Sequence, residues 1–200
     1  EIDVIYNPLP NHLHVDLSLK ALAAGKHVLC EKPLALNATQ AKELSLASAK
    51  NPKVKVMEAF MYRFHPQWQQ VKRWIAHGEL GTLHSVSSQF CYCNTDPHNI
   101  RNNREAGGGA LMDIGCYGVS VARMIFDREP KKIVANAVMN PTFAVDDITH
   151  CLLDFDGALA TVMVGTKVQR SQYVHIEGSA GRIIVTHPFY CDDGDERTIS

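Results

Sequence analysis

Lys32, Asp113 and Tyr117 are side chains whose types suit proton transfer. Lys32 follows a short apolar run, residues 27–30, and precedes Pro33. Because proline disfavours helical values at the residue before it, Lys32 is expected to be held extended at the end of a strand. In open parallel sheets ligands bind beyond the carboxyl ends of the strands, so Lys32 is placed to meet a ligand. The alternative is that this stretch is only a solvated loop.

Asp113 and Tyr117 are four residues apart in a segment that predicts a long helix, residues 110–126, so both are expected on one helix face. A free phenol has a pKa of about 10, too high for an efficient base at neutral pH. An ammonium group beside the phenol would bring its pKa closer to that range. With Lys32, the pair could take the proton of a carbinol while a hydride leaves. The structural alternative is that Tyr117 belongs to the core and Asp113 is a surface charge.

The first sixty residues alternate between strands and helices. Apolar runs predict strands at residues 2–6, 27–30 and 54–58, with helices at residues 11–24 and 37–49 between them. This β-α-β-α-β order implies a parallel sheet with right-handed crossovers. The first part of the chain is therefore predicted to be half of a doubly wound α/β fold.

The remainder, residues 61–200, predicts a second domain of the α+β class, with a boundary near residue 60. A helix over residues 66–77 and the long helix that contains Asp113 are accompanied by consecutive strands with short connections. Such strands indicate an open antiparallel sheet. The predicted strands are residues 82–92, 133–139, 148–155, 158–164, 173–177 and 182–185.

Composition excludes several classes of partner. The chain has 20 Lys and Arg residues against 21 Asp and Glu, without a basic cluster, so a nucleic-acid partner is not expected. No apolar run approaches the ~18 residues of a membrane span, and no targeting segment is visible, so a cytoplasmic protein without a membrane partner is expected.

No metal site is predicted. The six cysteines include no C-x-x-C pair, which favours free structural thiols. His12 and His14 are two residues apart near a helix start and so lie on different faces. His14 is expected at the surface.

Four stretches, in order along the chain, resemble the glucose-fructose oxidoreductase/inositol dehydrogenase (Gfo/Idh/MocA) family. Three of them carry the family resemblance: YNPLPNHLH (residues 6–14), AGKHVLCEKP (24–33) and GGGALMDIGCY (107–117). The fourth, MEAFMYRFHP (57–66), is similar to the branch with glucose-fructose oxidoreductase, D-xylose dehydrogenase and dimeric dihydrodiol dehydrogenase. The resemblance covers essentially the whole chain.

The resemblance implies the C-terminal half of a Rossmann sheet in residues 1–60, without its first β-α-β unit. A substrate and oligomerisation domain, built on an open antiparallel sheet, follows in residues 61–200. No G-x-G-x-x-G motif is present, and Gly107-Gly108-Gly109 follows a polar loop rather than a strand. The sequence starts at a predicted buried strand and ends in a strand-rich region, so both ends are expected to lie within a longer protein. Without the phosphate-binding loop, the chain alone is predicted to bind a dinucleotide weakly or not at all.

The resemblance also implies roles for individual residues. Lys32 would be the catalytic lysine, in contact with the nicotinamide and the substrate hydroxyl. Tyr117 would be the proton donor or acceptor, at a position where many relatives have histidine, and Asp113 would orient the substrate. The cofactor-binding residues would be Pro8, His12, Glu31, Lys32 and Arg63.

The function implied is hydride transfer between a nicotinamide cofactor, NADP or NAD, and a carbinol of a sugar, polyol or trans-dihydrodiol. Lactone formation from an aldose is the favoured reaction, and a homodimer or homotetramer through the antiparallel sheet is expected. The alternative from another class is a non-catalytic sensor or regulator that binds the dinucleotide without turnover. The presence of both Lys32 and Tyr117 argues against that alternative.

Overall fold

A three-stranded parallel sheet forms the first part of the chain, in a computed structural model that describes residues 1–190 and 197–200. Its strands lie in the order of the sequence, and two helices connect them, which confirms the predicted half of a Rossmann fold. The elements are β1 (Val4–Asn7), α1 (His14–Ala23), β2 (His27–Cys30), α2 (Ala38–Lys50) and β3 (Val56–Glu58).

Local sequence signals explain the ends of these helices. The side chain of Asn37 accepts a hydrogen bond from the backbone nitrogen of Gln40 at 3.0 Å and so caps α2. Gly25, with φ at +72°, follows α1 and takes the left-handed conformation that ends the helix before β2. Pro8 and Glu31 follow the carboxyl ends of β1 and β2, so both lie at one edge of the sheet.

The second part of the chain contains a six-stranded sheet in the order β5-β6-β7-β4-β8-β9. One face of this sheet carries a helix, α4, which follows a short π-helical turn (Leu111–Gly115) that contains Asp113. The elements are α3 (Pro66–Ala76), β4 (Leu83–Cys93), α4 (Cys116–Phe126), β5 (Lys132–Met139), β6 (Asp146–Asp154), β7 (Leu159–Gly165), β8 (Lys167–Gly178) and β9 (Arg182–Val185).

The sheet is mixed, so the prediction of a wholly antiparallel sheet is wrong in one respect. β4 pairs in parallel with β7 and antiparallel with β8. β7 and β8 are separated by Thr166 alone, yet they lie on opposite sides of β4. Consecutive strands usually pair with each other, and that tendency predicts the wrong neighbours here.

Close packing fixes α4 against the centre of the sheet. A Cβ atom added at Gly118 would lie 2.6 Å from Cγ1 of Val162 on β7 and 3.0 Å from Oγ of Ser88 on β4. Only glycine therefore permits this approach of the helix to the strands. Tyr117 precedes this glycine in the first turn of α4.

The opposite face of the sheet carries exposed apolar side chains on β5, β6 and β7. All eight residues of β5 are exposed. Val134 on β5, Leu152 on β6 and Leu159 on β7 have exposed fractions of 68%, 41% and 47%. The register pairs Val134 with Leu152, and Leu159 pairs with Asp154, two residues from Leu152, so the three side chains share one face. Exposed apolar side chains grouped on one face of a sheet often mark an interface.

No helix in the described residues is long and apolar enough to cross a membrane. Within the same residues, no group of three or more His, Cys, Asp and Glu side chains is arranged to hold a metal ion. The cysteines there are free thiols. Cys191 lies outside the described residues.

Candidate active site

The loop after β2 brings Lys32 to the π-helical turn that carries Asp113. Nζ of Lys32 donates to the main-chain oxygen of Asp113 at 2.6 Å and to Oδ1 of its carboxylate at 3.1 Å. The Lys32-Pro33 peptide bond is cis. The two side chains are 13% and 10% exposed, so this ion pair is largely withdrawn from water. Asp113 is therefore not the isolated surface charge of the structural alternative.

The carboxylate of Asp113 has two further donors. Nε of Arg101 lies 3.0 Å from Oδ1, and the hydroxyl of Tyr92 donates to Oδ2 at 2.5 Å. Burial by itself would raise the pKa of Asp113, but the charges of Lys32 and Arg101 and the hydrogen bonds hold that pKa below its usual range. Because a carboxylate offers about four acceptor positions, most of them are already used within the protein.

Tyr117 contacts Lys32 through its ring rather than through its hydroxyl, and we call Lys32, Asp113 and Tyr117 the cluster. The ring packs against Phe60, Phe90 and Phe189, with centroid distances of 5.3, 5.8 and 5.1 Å. Nζ of Lys32 lies over the ring, 5.0 Å from its centroid. Among residues 1–190 and 197–200, no group forms a hydrogen bond to the Tyr117 hydroxyl.

Burial raises the pKa of the Tyr117 phenol, and the nearby groups of Cys116 and Asp113 raise it further. The prediction that Lys32 would bring this pKa towards neutrality is therefore wrong. The ammonium lies over the ring face, and the loss of hydration outweighs its attraction for a phenolate. The phenol keeps its proton at neutral pH.

A cavity of about 520 Å³ adjoins this cluster. A smaller cavity of about 180 Å³ lies beside the carboxyl ends of β1 and β2, where Pro8 and Glu31 contribute to its wall. Lys32, Arg101 and Asp113 line both cavities, so the cluster stands where the two spaces meet. The larger cavity is lined by Lys32, Met61, Phe90, Tyr92, Asn94, Arg101, Asp113, Ile114, Tyr117, Arg170 and Tyr190.

The structure does not bring all the predicted cofactor ligands to these cavities. Glu31 lines the smaller one and accepts a hydrogen bond from the Tyr6 hydroxyl at 2.7 Å. His12 is exposed and lines neither cavity. Arg63 lines a different cavity of about 290 Å³, beside Arg123 on α4.

Tyr92 and Arg101 are site residues that sequence reasoning missed. Tyr92 lies near the end of β4, and Arg101 lies in the polar loop before the glycine triplet. Polar residues at a strand end and in a loop next to a motif are weak signals, because most such residues only face water. Their contact with Asp113 depends on how β4 and the loop fold against α4.

His14 is buried, so its predicted place at the surface is wrong. Its Nδ1 lies 2.8 Å from the main-chain oxygen of Pro33, and its Nε2 lies 2.6 Å from that of Leu9. The ring thus joins the loop after β1 to the loop after β2, next to Lys32. The sequence pattern was ambiguous because a histidine near the start of a helix can face either the solvent or the core.

We expect His14→Ala to lower the free energy of unfolding by about 2–4 kcal/mol, since it leaves a cavity and removes a buried hydrogen bond from the ring to a main-chain oxygen. Urea denaturation measures this change. His12→Ala, at an exposed position two residues earlier, is the control and should change stability by less than about 0.5 kcal/mol. Equal stability of the two variants would contradict the proposal that His14 stabilises the fold by joining the two loops.

Family models match both parts of the chain. Residues 1–60 match the model described as "Oxidoreductase family, NAD-binding Rossmann fold". Residues 68–184 match the "GFO/IDH/MocA C-terminal domain".

Named relatives agree with these matches. The D-xylose 1-dehydrogenase (NADP(+)) 2 of Haloferax volcanii is 36% identical over 193 residues, which are 96% of this chain and 58% of that protein. The trans-1,2-dihydrobenzene-1,2-diol dehydrogenase of Xenopus laevis is 36% identical over 168 residues, 83% of this chain and 50% of that protein. The chain thus spans little more than half the length of these relatives.

A solved structure matches at the level of the fold. The crystal structure of KijD10, a 3-ketoreductase from Actinomadura kijaniata in complex with NADP and TDP-benzene, superimposes with a TM-score of 0.89 at 30% sequence identity. The match covers 98% of this chain and 61% of that one. With both of its parts matched by family models and relatives, this chain belongs to the Gfo/Idh/MocA family of oxidoreductases.

Proposed function

We propose that this chain carries the catalytic centre of an NAD(P)-dependent oxidoreductase that moves a hydride between nicotinamide and a carbinol carbon of a sugar, polyol or trans-dihydrodiol. The observation that carries the proposal is the cluster of Lys32, Asp113 and Tyr117 at the junction of two cavities. We further propose that residues 1–60 bind the cofactor and that residues 61–200 bind the substrate.

The smaller cavity suits the nicotinamide end of the cofactor. Pro8 and Glu31 follow the carboxyl ends of parallel strands, where α/β sheets bind their ligands, and Lys32 lines the same space. These residues would hold the nicotinamide, which supplies or accepts the hydride when bound. We favour NADP because NADP appears in the names of the D-xylose dehydrogenase and of the KijD10 complex. The contacts of His12 and Arg63 with the cofactor stay predictions.

The larger cavity suits a ring-shaped substrate that carries hydroxyl groups. Phe90 and Tyr190 offer apolar faces for the C–H groups of a sugar or diol, and Asn94 and Arg101 offer polar groups at the wall. An aldose, with lactone as product, remains our favoured substrate. The relatives named above extend the class to dihydrodiols and, through a 3-ketoreductase that holds TDP-benzene, to nucleotide-linked compounds.

Two side chains of the cluster can act on the substrate oxygen: one stabilises its negative charge, and the other transfers its proton. Lys32 uses two N–H groups on Asp113 and keeps the third for a substrate oxygen, where the ammonium would stabilise developing negative charge. Tyr117, protonated at neutral pH, would give its proton to that oxygen in the direction of carbonyl reduction and take it back in oxidation. We propose that Asp113 mainly holds Lys32, and that orienting the substrate is a lesser part of its role.

The test follows NADPH and NADH absorbance with the full-length protein against aldoses, inositols, trans-dihydrodiols and 3-keto sugar nucleotides. Turnover of one class that depends on Lys32 and Tyr117 would support the proposal and identify the substrate. Tight cofactor binding without turnover of any member would favour the sensor instead.

We also propose that a second copy of the chain covers the open face of the sheet, as a homodimer or homotetramer. Val134→Lys should weaken self-association at least tenfold, because a charge would be buried among apolar side chains. Ile133→Lys, on the opposite face of β5 and 62% exposed, is the matched control. Sedimentation equilibrium measures both, and equal association of Val134→Lys and the unchanged protein would contradict the proposal. A cytoplasmic location, without a nucleic-acid or membrane partner, stays a prediction from the sequence.

A further inference from the structure

Tyr92 lies on β4 and contacts the cluster of Lys32, Asp113 and Tyr117 through Asp113. Its ring lines the larger cavity, while its hydroxyl donates to Oδ2 of Asp113 at 2.5 Å. Burial and the adjacent charge of Asp113 raise the pKa of Tyr92, so the phenol keeps its proton and acts as a hydrogen-bond donor.

The two carboxylate oxygens of Asp113 have separate partners. Oδ1 accepts from Lys32 and Arg101, whereas Oδ2 accepts from Tyr92. Rotation of the carboxylate about its Cβ–Cγ bond would move Oδ1 away from Lys32, and the hydrogen bond from Tyr92 opposes that rotation. The main-chain oxygen of Asp113 binds the same ammonium, so the direction of the remaining N–H group depends on how Asp113 is held.

We propose that Tyr92 is a positioning residue: by fixing the carboxylate of Asp113, it directs the free N–H group of Lys32 towards the substrate oxygen. This role rests on the proposed function of Lys32. Tyr92 acts through Asp113 and does not handle the reacting proton, which is left to Tyr117.

Tyr92→Phe removes the hydroxyl and keeps the ring. In the full-length enzyme we expect kcat to fall about 10- to 100-fold while KM changes less than about threefold, because the lysine is misplaced and the cavity wall is kept. A raised KM at unchanged kcat would show a direct substrate contact and overturn the proposal. Tyr173→Phe is the matched control, since its hydroxyl bonds to Gln89 at 3.3 Å and lies outside the cavity lining.

A double-mutant cycle tests the route through Asp113. In an Asp113→Asn background, Tyr92→Phe should reduce kcat by less than about twofold, since the charged group on which it acts is already gone. The same large effect in both backgrounds would overturn the proposal.

A readout without turnover separates this inference from the proposed function. The lowered pKa of Asp113 stabilises the fold above the group's ordinary pKa, and this contribution is lost as pH falls through the folded value. Without the Tyr92 hydroxyl the folded pKa rises, so Tyr92→Phe should lower Tm by about 2–6 °C at pH 7, and this deficit should shrink as the pH falls through the folded pKa of Asp113. Within residues 1–190 and 197–200, the titratable or charged groups that face Asp113 are Lys32, Tyr92, Arg101, Cys116 and Tyr117.

Calorimetry of the unliganded protein measures this difference. A Tm deficit that stays constant while the pH is lowered through the folded pKa of Asp113 would overturn the Tyr92–Asp113 interaction even if the enzyme is active. The expected deficit in a protein that turns over no substrate would support the interaction and count against the proposed function alone.

Discussion

Lys32→Met is expected to lower kcat for hydride transfer by about three orders of magnitude in the full-length enzyme. Methionine keeps much of the length and the apolar stem of lysine but removes the ammonium. The substrate oxygen then loses the charged donor that stabilises it in the transition state. Steady-state kinetics with the substrate found in the panel measure this change.

The same substitution also disturbs Asp113. The carboxylate would keep Arg101 and Tyr92 but lose the ammonium at 3.1 Å. Its pKa should therefore rise, which makes the carboxylate easier to protonate in mildly acidic solution. Lys32→Arg is the informative control: it keeps the charge, but a planar guanidinium cannot reproduce the contact of Nζ with both oxygens of Asp113. Activity of Lys32→Met equal to that of the unchanged enzyme would exclude a catalytic role for this lysine.

Tyr117→Phe is expected to reduce kcat about 10²- to 10⁴-fold, the range found for loss of a general acid or base. The fold should be kept, because the contacts of the ring with Phe60, Phe90 and Phe189 do not need the hydroxyl. Rate measurements in both directions, with circular dichroism to verify folding, test the expectation. Full activity of Tyr117→Phe would mean that another group, or water, transfers the proton.

The pH dependence sharpens this prediction. Since burial raises the pKa of Tyr117, the acid form persists through the neutral range, and carbonyl reduction should be independent of the Tyr117 ionisation there. Oxidation needs the phenolate, so its rate should rise about tenfold per pH unit until the phenol ionises. In Tyr117→Phe the oxidation rate should no longer increase with pH in this way. Tyr62→Phe, which removes a buried hydroxyl bonded to Ser120 at 2.8 Å, should keep the increase.

Much of the fold was predictable because it rests on interactions between residues close in sequence. Asn37 caps α2 through a residue three positions later, and Gly25 ends α1 by its own backbone conformation. The alternation of strands and helices over residues 1–60 likewise predicted the parallel sheet. Lys32 was recognisable because it follows one of these strands and precedes a proline.

The neighbours of β4 were not predictable in this way. β7 and β8 adjoin in sequence, but β4 lies between them, and nothing in the local pattern of these strands records the insertion. The surface position predicted for His14 failed for a related reason. Its burial depends on two loops, which supply the oxygens of Leu9 and Pro33.

The groups available for chemistry can be read from the amino-acid sequence alone: a lysine at a strand end, and an aspartate and a tyrosine one helical turn apart. How those groups behave depends on contacts between distant parts of the chain. Lys32 and Asp113 are 81 residues apart in sequence, and their contact exists because the loop after β2 reaches the turn before α4. The pKa of Tyr117 depends on every atom that excludes water from its hydroxyl, and desolvation is a property of the assembled core rather than of any segment.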